Sequence, residues 1–311
     1  RRDDPDLFWA AVGGYGMFGV ILDATLELTD DILYDHETRI VDYRDYPAEF
    51  GAIADDADIG LHYAPLSTAP GKGFLRETLL HVYRAAREQP ATMPPLPAEV
   101  DGVKLQRFLL NFSKTGWIGR KLKWWAEKRH VAACAVPRTA AMAEGEACLV
   151  SRNETMHDSV PYLRNAIPGD TDILHEYFVP RAAFVPYVDD VREILERHDA
   201  VLLNASVRAV HGDATLLRYA SHDAFSLVLS LTQAPAAEDN DRMPALTADL
   251  IDAALKHKGT FFLPYQLHYT PAQLARAYPA APQFFALKRR VDPQEMFQST
   301  FWRTYEAAFR G

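Results

Sequence analysis

The chain has 311 residues, 48% of them hydrophobic, which is enough for a large core in one or two domains. Its net charge of −9 argues against broad nucleic-acid binding, and no run approaches the ~20 apolar residues of a membrane-spanning helix. Two cysteines occur, Cys134 and Cys148; without CxxC spacing they do not indicate a zinc site, and they leave one disulfide open.

Residues 6–28 read DLFWAAVGGYGMFGVILDATLEL. Four glycines, Gly13, Gly14, Gly16 and Gly19, precede an alternating apolar run, Val20, Leu22, Ala24, Leu26 and Leu28. The alternation predicts a strand entered through a tight turn. GGxGxxG resembles the dinucleotide fingerprint, but that motif runs strand, glycines, helix. Here the predicted strand follows the glycines, so the Rossmann reading fails on context. Two readings of the turn stay open: a plain turn, or one whose bare amides face a phosphate or an adenine ring.

Residues 32–46 and 58–66 read as strands by alternation. FLRETLLHVYRA fits a helix or a strand, and QPATMPPLPAEV reads as a proline-rich loop. Residues 104–147 read as helical around KTGWIGRKLKWWAEKRH, with Trp124 and Trp125 expected against the body of the protein. A basic aromatic helix of this kind can also lie on a membrane surface, the less favoured reading in an acidic chain. DILHEYFVP is a strand closed by Pro180, and FVPYVDDVREILERHD an amphipathic helix burying Val188, Val191, Ile194 and Leu195. AVLLNASVRAV and AFSLVLSLT are strands. LTADLIDAALKHKG is a helix with Thr247 as N-cap and Gly259 just past its end. GTFFLPYQLHY is extended, and TPAQLARAYP starts a helix with Thr270 as N-cap and Pro271 at N1. This order predicts an α+β fold, an antiparallel or mixed sheet covered by helices. His62, His157 and His211 are scattered, without the spacing of metal ligands.

PDLFWAAVGGYGMFGVILDATLEL, HEYFVPR, GTFFLPYQLHYTPAQLARAYP and FFALKRRVDPQEMF occur in an order that resembles the C-terminal part of FAD-linked oxidases of the vanillyl-alcohol oxidase / p-cresol methylhydroxylase superfamily. The similarity is strongest to its sugar and polyol oxidases and weak from about residue 90 to 170. The resemblance implies that residues 1–30 are the C-terminal remnant of an FAD-binding domain, including its last strand. It makes 31–258 the substrate domain and 259–311 a segment returning to the flavin domain. The cofactor implied is FAD, packed against Gly13, Gly14, Gly16, Gly19 and Val20. The main phosphate-binding loop of such a domain has no counterpart here, so the fragment is expected to be inactive alone. No signal peptide is visible, and a targeting segment stays open because the chain starts Arg1-Arg2. A cytoplasmic location is favoured.

The chemistry implied is hydride transfer from a carbinol C–H to the flavin, with the protein orienting the substrate and helping to remove its hydroxyl proton. Arg208 shares a strand face with Asn204, Ser206 and Val210. By itself it fits a solvated face or a structural ion pair; the related oxidases turn a basic residue at this position toward substrate. Alditol oxidases carry glutamate where this chain has Ser206. Glu176 lies between Leu174 and Phe178 by period 2, as an exposed edge residue or as a group that binds hydroxyls or acts as a base. Tyr265 takes a position that holds lysine in the lipid-linked ribose oxidases, and Val228 one that holds cysteine. Ser226 and Val228 are expected in the same cavity, with Gln266 and, ranked lower, His268. The implied substrate is a small or lipid-linked sugar or polyol. The rival readings are an aryl-alcohol or hydroxy-acid oxidase of the same superfamily and a non-catalytic α+β binding module.

Overall fold

A computed structural model describes residues 4–93, 95–96, 102–132, 149–158, 161–233 and 237–310. Cys134, Cys148 and the C-terminal part of the helix expected over 104–147 lie outside the described residues.

Eight strands form one sheet: β1 (Leu33–Asp42), β2 (Ile59–Pro65), β3 (Glu77–Ala85), β4 (Leu149–Ser151), β5 (Thr171–Pro180), β6 (Leu202–Val210), β7 (Ala224–Gln233) and β8 (Thr260–Phe261). Their order is β4-β1-β3-β2-β6-β7-β5-β8, and every neighbouring pair is antiparallel. The helices are α1 (Pro5–Ala11), α2 (Tyr46–Gly51), α3 (Val103–Ser113), α4 (Trp117–Ala132), α5 (Arg152–Asp158), α6 (Phe184–Arg197), α7 (Ala237–Lys256), α8 (Pro271–Ala277), α9 (Ala281–Val291) and α10 (Thr300–Tyr305). The fold is the α+β arrangement read from the sequence.

The two faces of the sheet differ. Ala205, Val207, Leu227, Leu229 and Tyr177 point to one side and are fully buried in the core with α6 and α7. On α6, Val188, Val191, Ile194 and Leu195 form the inward stripe as expected, and burial of each aliphatic side chain contributes roughly 1.5–3 kcal/mol. Phe225 anchors this side, with ring centroids 5.1 Å from Tyr46, 5.1 Å from Phe50 and 5.3 Å from Phe184. The alternate residues of the same strands face the other way. Over β1–β3 that second face is overlain by α4, where the Trp124 indole N–H donates to Glu77 at 2.7 Å. Over β5–β7 it is less covered, and there Val228 is half-buried and Leu174 exposed.

Four local expectations change. Val20–Leu28 is not a strand: among the described residues no strand pairs with it, and Val20, Leu22, Leu26 and Leu28 are 72–89% exposed. Alternation marks a segment able to pair, while the ladder needs a partner. Thr247 is not an N-cap. It lies inside α7, which begins ten residues earlier and continues through Pro244, and its hydroxyl donates to the Met243 carbonyl. The helix expected from 104 onward is two helices, broken at Gly116 with φ 145°. Of the paired tryptophans only Trp124 is buried; Trp125 is 51% exposed, because the inward stripe of α4 runs through Gly119, Lys123 and Trp124.

Other sequence signals hold. Thr270 caps α8 in a capping box with Gln273, and Pro271 takes the first turn. FLRETLLHVYRA resolves as β3, since Leu79, Leu80, Val82 and Tyr83 are buried on both faces. Gly259 follows α7, but Lys258, not the glycine, adopts the left-handed backbone. The glycine is needed for room: a Cβ there would sit 2.4 Å from the Phe178 carbonyl oxygen.

His175 sits on the helix side of β5, 3% exposed, with Nδ1 3.1 Å from the Tyr177 hydroxyl. Its Nε2 has no partner among the described residues. Burial, helped by nearby His268, pushes its pKa from 6.5 down to about 4. The folded state therefore favours neutral His175. Its contribution is complete above the unfolded pKa of about 6.5 and is lost as pH falls toward about 4, for a total of about 3 kcal/mol. Urea unfolding of the parent should weaken over that window, and His175→Gln should flatten the loss. An identical loss in the variant would show that His175 is not the titrating group.

Candidate active site on the open sheet face

The candidate site is built by register. Glu176 of β5 lies opposite Val228 of β7, and Phe178 opposite Ser226. On the other side of β7, Ser226 pairs with Arg208, Val228 with Ser206, and Ser230 with Asn204. Direct partners share a face, so three strands place Asn204, Ser206, Arg208, Ser226, Val228 and Glu176 on the face opposite the helical core.

Glu176 is the centre. Its side chain is 11% exposed, and a carboxylate so enclosed needs compensation. The Ser226 hydroxyl, fully buried, donates to Glu176 Oε1 at 2.5 Å. Arg208 Nη2 stands 3.5 Å from the same oxygen while the guanidinium is 53% exposed. One carboxylate oxygen is thus engaged from two strands, and the arginine keeps donors free toward the open side.

An aromatic wall adjoins this group. Phe178 lies 4.9 Å from Tyr219, Tyr219 6.0 Å from Phe262, and Phe262 5.4 Å from Tyr265, centroid to centroid. Both phenols are pushed above their usual pKa. Burial is the main cause for each; Asp213 and then Glu176 add to it for Tyr219, and Glu176 adds to it for Tyr265, where Arg208 opposes. Both therefore stay protonated near neutrality and can donate hydrogen bonds. Tyr219 was not among the residues read from the sequence. It lies in the loop between β6 and β7, where alternation carries no information, and only the closing of the hairpin brings it to Phe178.

The glycine turn meets the same end of the sheet. Gly13 at φ 77° ends α1 against Thr215, and the Leu216 amide donates to the Trp9 carbonyl at 3.4 Å. Thr215 and Leu216 belong to the loop that carries Tyr219. The buried phenol of Tyr15 is raised well above its usual pKa by desolvation first, then by Asp213 and Tyr219. Gly14 is packed on its own helix, whereas nothing lies within 4 Å of where a Cβ would stand on Gly16 or Gly19. Tyr15 and Phe18 rest on Phe301 and Phe284, so the first residues and the C-terminal helices α9 and α10 pack together.

The structure thus brings together Glu176, Arg208, Ser226, Val228, Ser206 and Asn204, with Tyr265 near them. It separates two others. Gln266 Nε2 lies 3.4 Å from Gln233 Oε1, at a β7 position whose alternation faces the helical side. His268 Nδ1 lies 3.3 Å from the Thr247 hydroxyl of α7, and burial lowers its pKa. Both sit behind the sheet rather than over Glu176. Val20 is exposed beyond the turn. Among the described residues no group of three or more His, Cys, Asp or Glu could hold a metal ion, and no helix is long and apolar enough to cross a membrane.

No protein-family model and no curated protein matches the sequence. Solved structures do match in fold. A solvent-stable cholesterol oxidase superimposes with a TM-score of 0.58 at 13% identity, over 97% of this chain and 65% of that one. The 6-hydroxy-D-nicotine oxidase from Arthrobacter nicotinovorans covers 96% of this chain and 60% of its own at 13% identity and TM-score 0.44. A berberine bridge enzyme covers 96% and 61% at 11% identity and TM-score 0.45. The chain spans 60–65% of the length of these structures, and over that span its fold is the one seen in the cholesterol oxidase.

Proposed function

We propose that the chain is the substrate-domain portion of an FAD-dependent oxidoreductase of the vanillyl-alcohol oxidase / p-cresol methylhydroxylase superfamily that oxidises a hydroxyl group of a sugar or polyol. The observation that carries the reading is the Glu176–Arg208–Ser226 group on the less covered part of the sheet face, with Glu176 enclosed and Arg208 reaching outward. The enclosed carboxylate is held by Ser226 while the Arg208 guanidinium, 53% exposed, keeps donors available to a ligand on the open side. The fold likeness to an enzyme named as an oxidase supports it.

The residues present fit a flavin. Gly16 and Gly19 leave room for a group against the main chain, and exposed apolar residues follow them at Val20, Leu22, Leu26 and Leu28. Gly13 does not offer such room, since Thr215 covers it. The bound FAD would supply the hydride acceptor. Arg208 places positive charge where a substrate hydroxyl becomes an oxyanion. Glu176 accepts a hydrogen bond from a substrate hydroxyl and is the nearest carboxylate to receive its proton. The phenols of Tyr219 and Tyr265, protonated near neutrality, are available to donate to substrate oxygens, and Ser206 and Asn204 offer further polar groups along β6. Val228 provides an apolar floor with no thiol chemistry. Several donors and acceptors on one flat face suit a polyhydroxylated substrate better than an aryl alcohol, which presents one oxygen.

In the enzyme that carries this chain, Arg208→Ala should slow flavin reduction by substrate on the order of a hundredfold, about 3 kcal/mol, and leave flavin content unchanged. Anaerobic stopped-flow reduction with a panel of sugars, polyols, lactate and vanillyl alcohol measures this and ranks the substrates. Reduction at the parent rate would make Arg208 structural, and a preference for vanillyl alcohol or lactate would move the activity to another branch of the superfamily.

A further inference from the structure

The helical hairpin of α3 and α4 turns outward a surface that neither the core nor the candidate site uses. On α4 the inward stripe holds Gly119, Lys123 and Trp124. Its outward positions, spaced by three and four residues, are Trp117, Ile118, Lys121, Leu122, Trp125 and Arg129. The four apolar side chains among them are 39–58% exposed, and on α3 Leu105 and Phe108 are 63% and 60% exposed. The surface of an acidic protein rarely leaves two tryptophans and a phenylalanine bare so close in sequence.

The charge of the hairpin is opposite to that of the whole. Residues 102–129 contain eight cations and one carboxylate in a chain of net charge −9. The inward cations are already engaged: Lys114 with Asp172, Lys123 with Glu127 and Lys128 with Glu77. The outward ones are not. Lys121 Nζ lies 5.0 Å over the Trp117 ring and the Arg129 guanidinium 4.8 Å over Trp125. Neither forms an ion pair among the described residues, nor does Lys104 on α3. Tryptophans with basic partners at their rims match the interfacial zone of a bilayer, where the indole meets the acyl boundary and the cation meets phosphate.

We propose that the outward face of α3–α4 docks this protein onto the surface of an anionic lipid bilayer, without crossing it. The charge complementarity selects the occupant: cations ringed by aromatic side chains on a protein that a negative surface would otherwise repel. The Lys114–Asp172 ion pair ties the hairpin to β5, the strand that carries Glu176. Docking would therefore bring the open sheet face close to the lipid. The proposal does not rest on the activity argued above and stands or falls separately from it.

Vesicle flotation of the full chain tests it, with phosphatidylcholine alone and with phosphatidylcholine containing phosphatidylglycerol. The chain should float with the anionic vesicles, sediment with the neutral ones, and lose binding in high salt. Lys121→Glu with Arg129→Glu should weaken binding by roughly thirtyfold or more, and Trp117→Ala with Trp125→Ala should abolish it. Lys258→Glu with Arg290→Glu, on a separate surface, should change little, and thermal unfolding should show every variant folded. Failure to float with anionic vesicles overturns the proposal, as does undiminished binding by the Lys121/Arg129 variant. A dimer that Trp125→Ala converts to monomer, with no vesicle binding, would make the surface a contact between copies and would also overturn it.

Discussion

The enclosed carboxylate of Glu176 sets the constraint on which the rest of the arrangement depends. Desolvating such a group costs several kcal/mol unless partners replace the water. Ser226 and Arg208 are those partners, and each comes from a different strand. Only the β6-β7-β5 order, in register, brings them to one oxygen. Sliding any of the three strands by one residue would send its polar side chain into the aliphatic layer beneath α6 and α7. The site and the core are therefore two readings of the same alternation. On β7, Leu227, Leu229 and Leu231 build the core, while Ser226 and Val228 build the site.

The loops complete what the strands begin. The β6–β7 loop carries Tyr219 to Phe178, receives the Trp9 carbonyl and Gly13, and lies near Tyr15. One hairpin loop thus connects the glycine turn with the face that holds Glu176. The C-terminal helices hold the turn from behind through Phe284 and Phe301. This is a physical reason for the sequence to place its glycines where it does. The backbone must turn sharply at Gly13 and Gly16, with φ 77° and 74°, between a helix and a packed loop.

Most of the sheet was legible in the sequence, because one buried face makes strands alternate and amphipathic helices repeat every three to four residues. Glu176, Arg208 and Ser226 were legible as polar groups on one face of their strands, but their assignment to a common site came from the resemblance to the FAD-linked oxidases, not from alternation. Tyr219 was not, since it lies in a loop. Gln266 and His268 were expected at the site from closeness in sequence to Tyr265, but the segment after β8 is irregular and turns them toward the helical side. Val20–Leu28 misled in another way. Its alternation is real, yet among the described residues no strand lies beside it. Trp125 was expected to follow Trp124 inward, but adjacent helical residues differ by about 100° in direction, and only one of them met the sheet.

Hydrogen–deuterium exchange of the longer FAD-dependent protein proposed to carry this chain, FAD-loaded against FAD-stripped, tests most directly whether the open face and the glycine turn form one flavin-facing surface. The account predicts slower exchange in two segments together: residues 13–28, and the β6–β7 loop around Tyr219. Amides of α6, behind the sheet, should not change. Slowed exchange confined to the helical layer, or none in either segment, would contradict it.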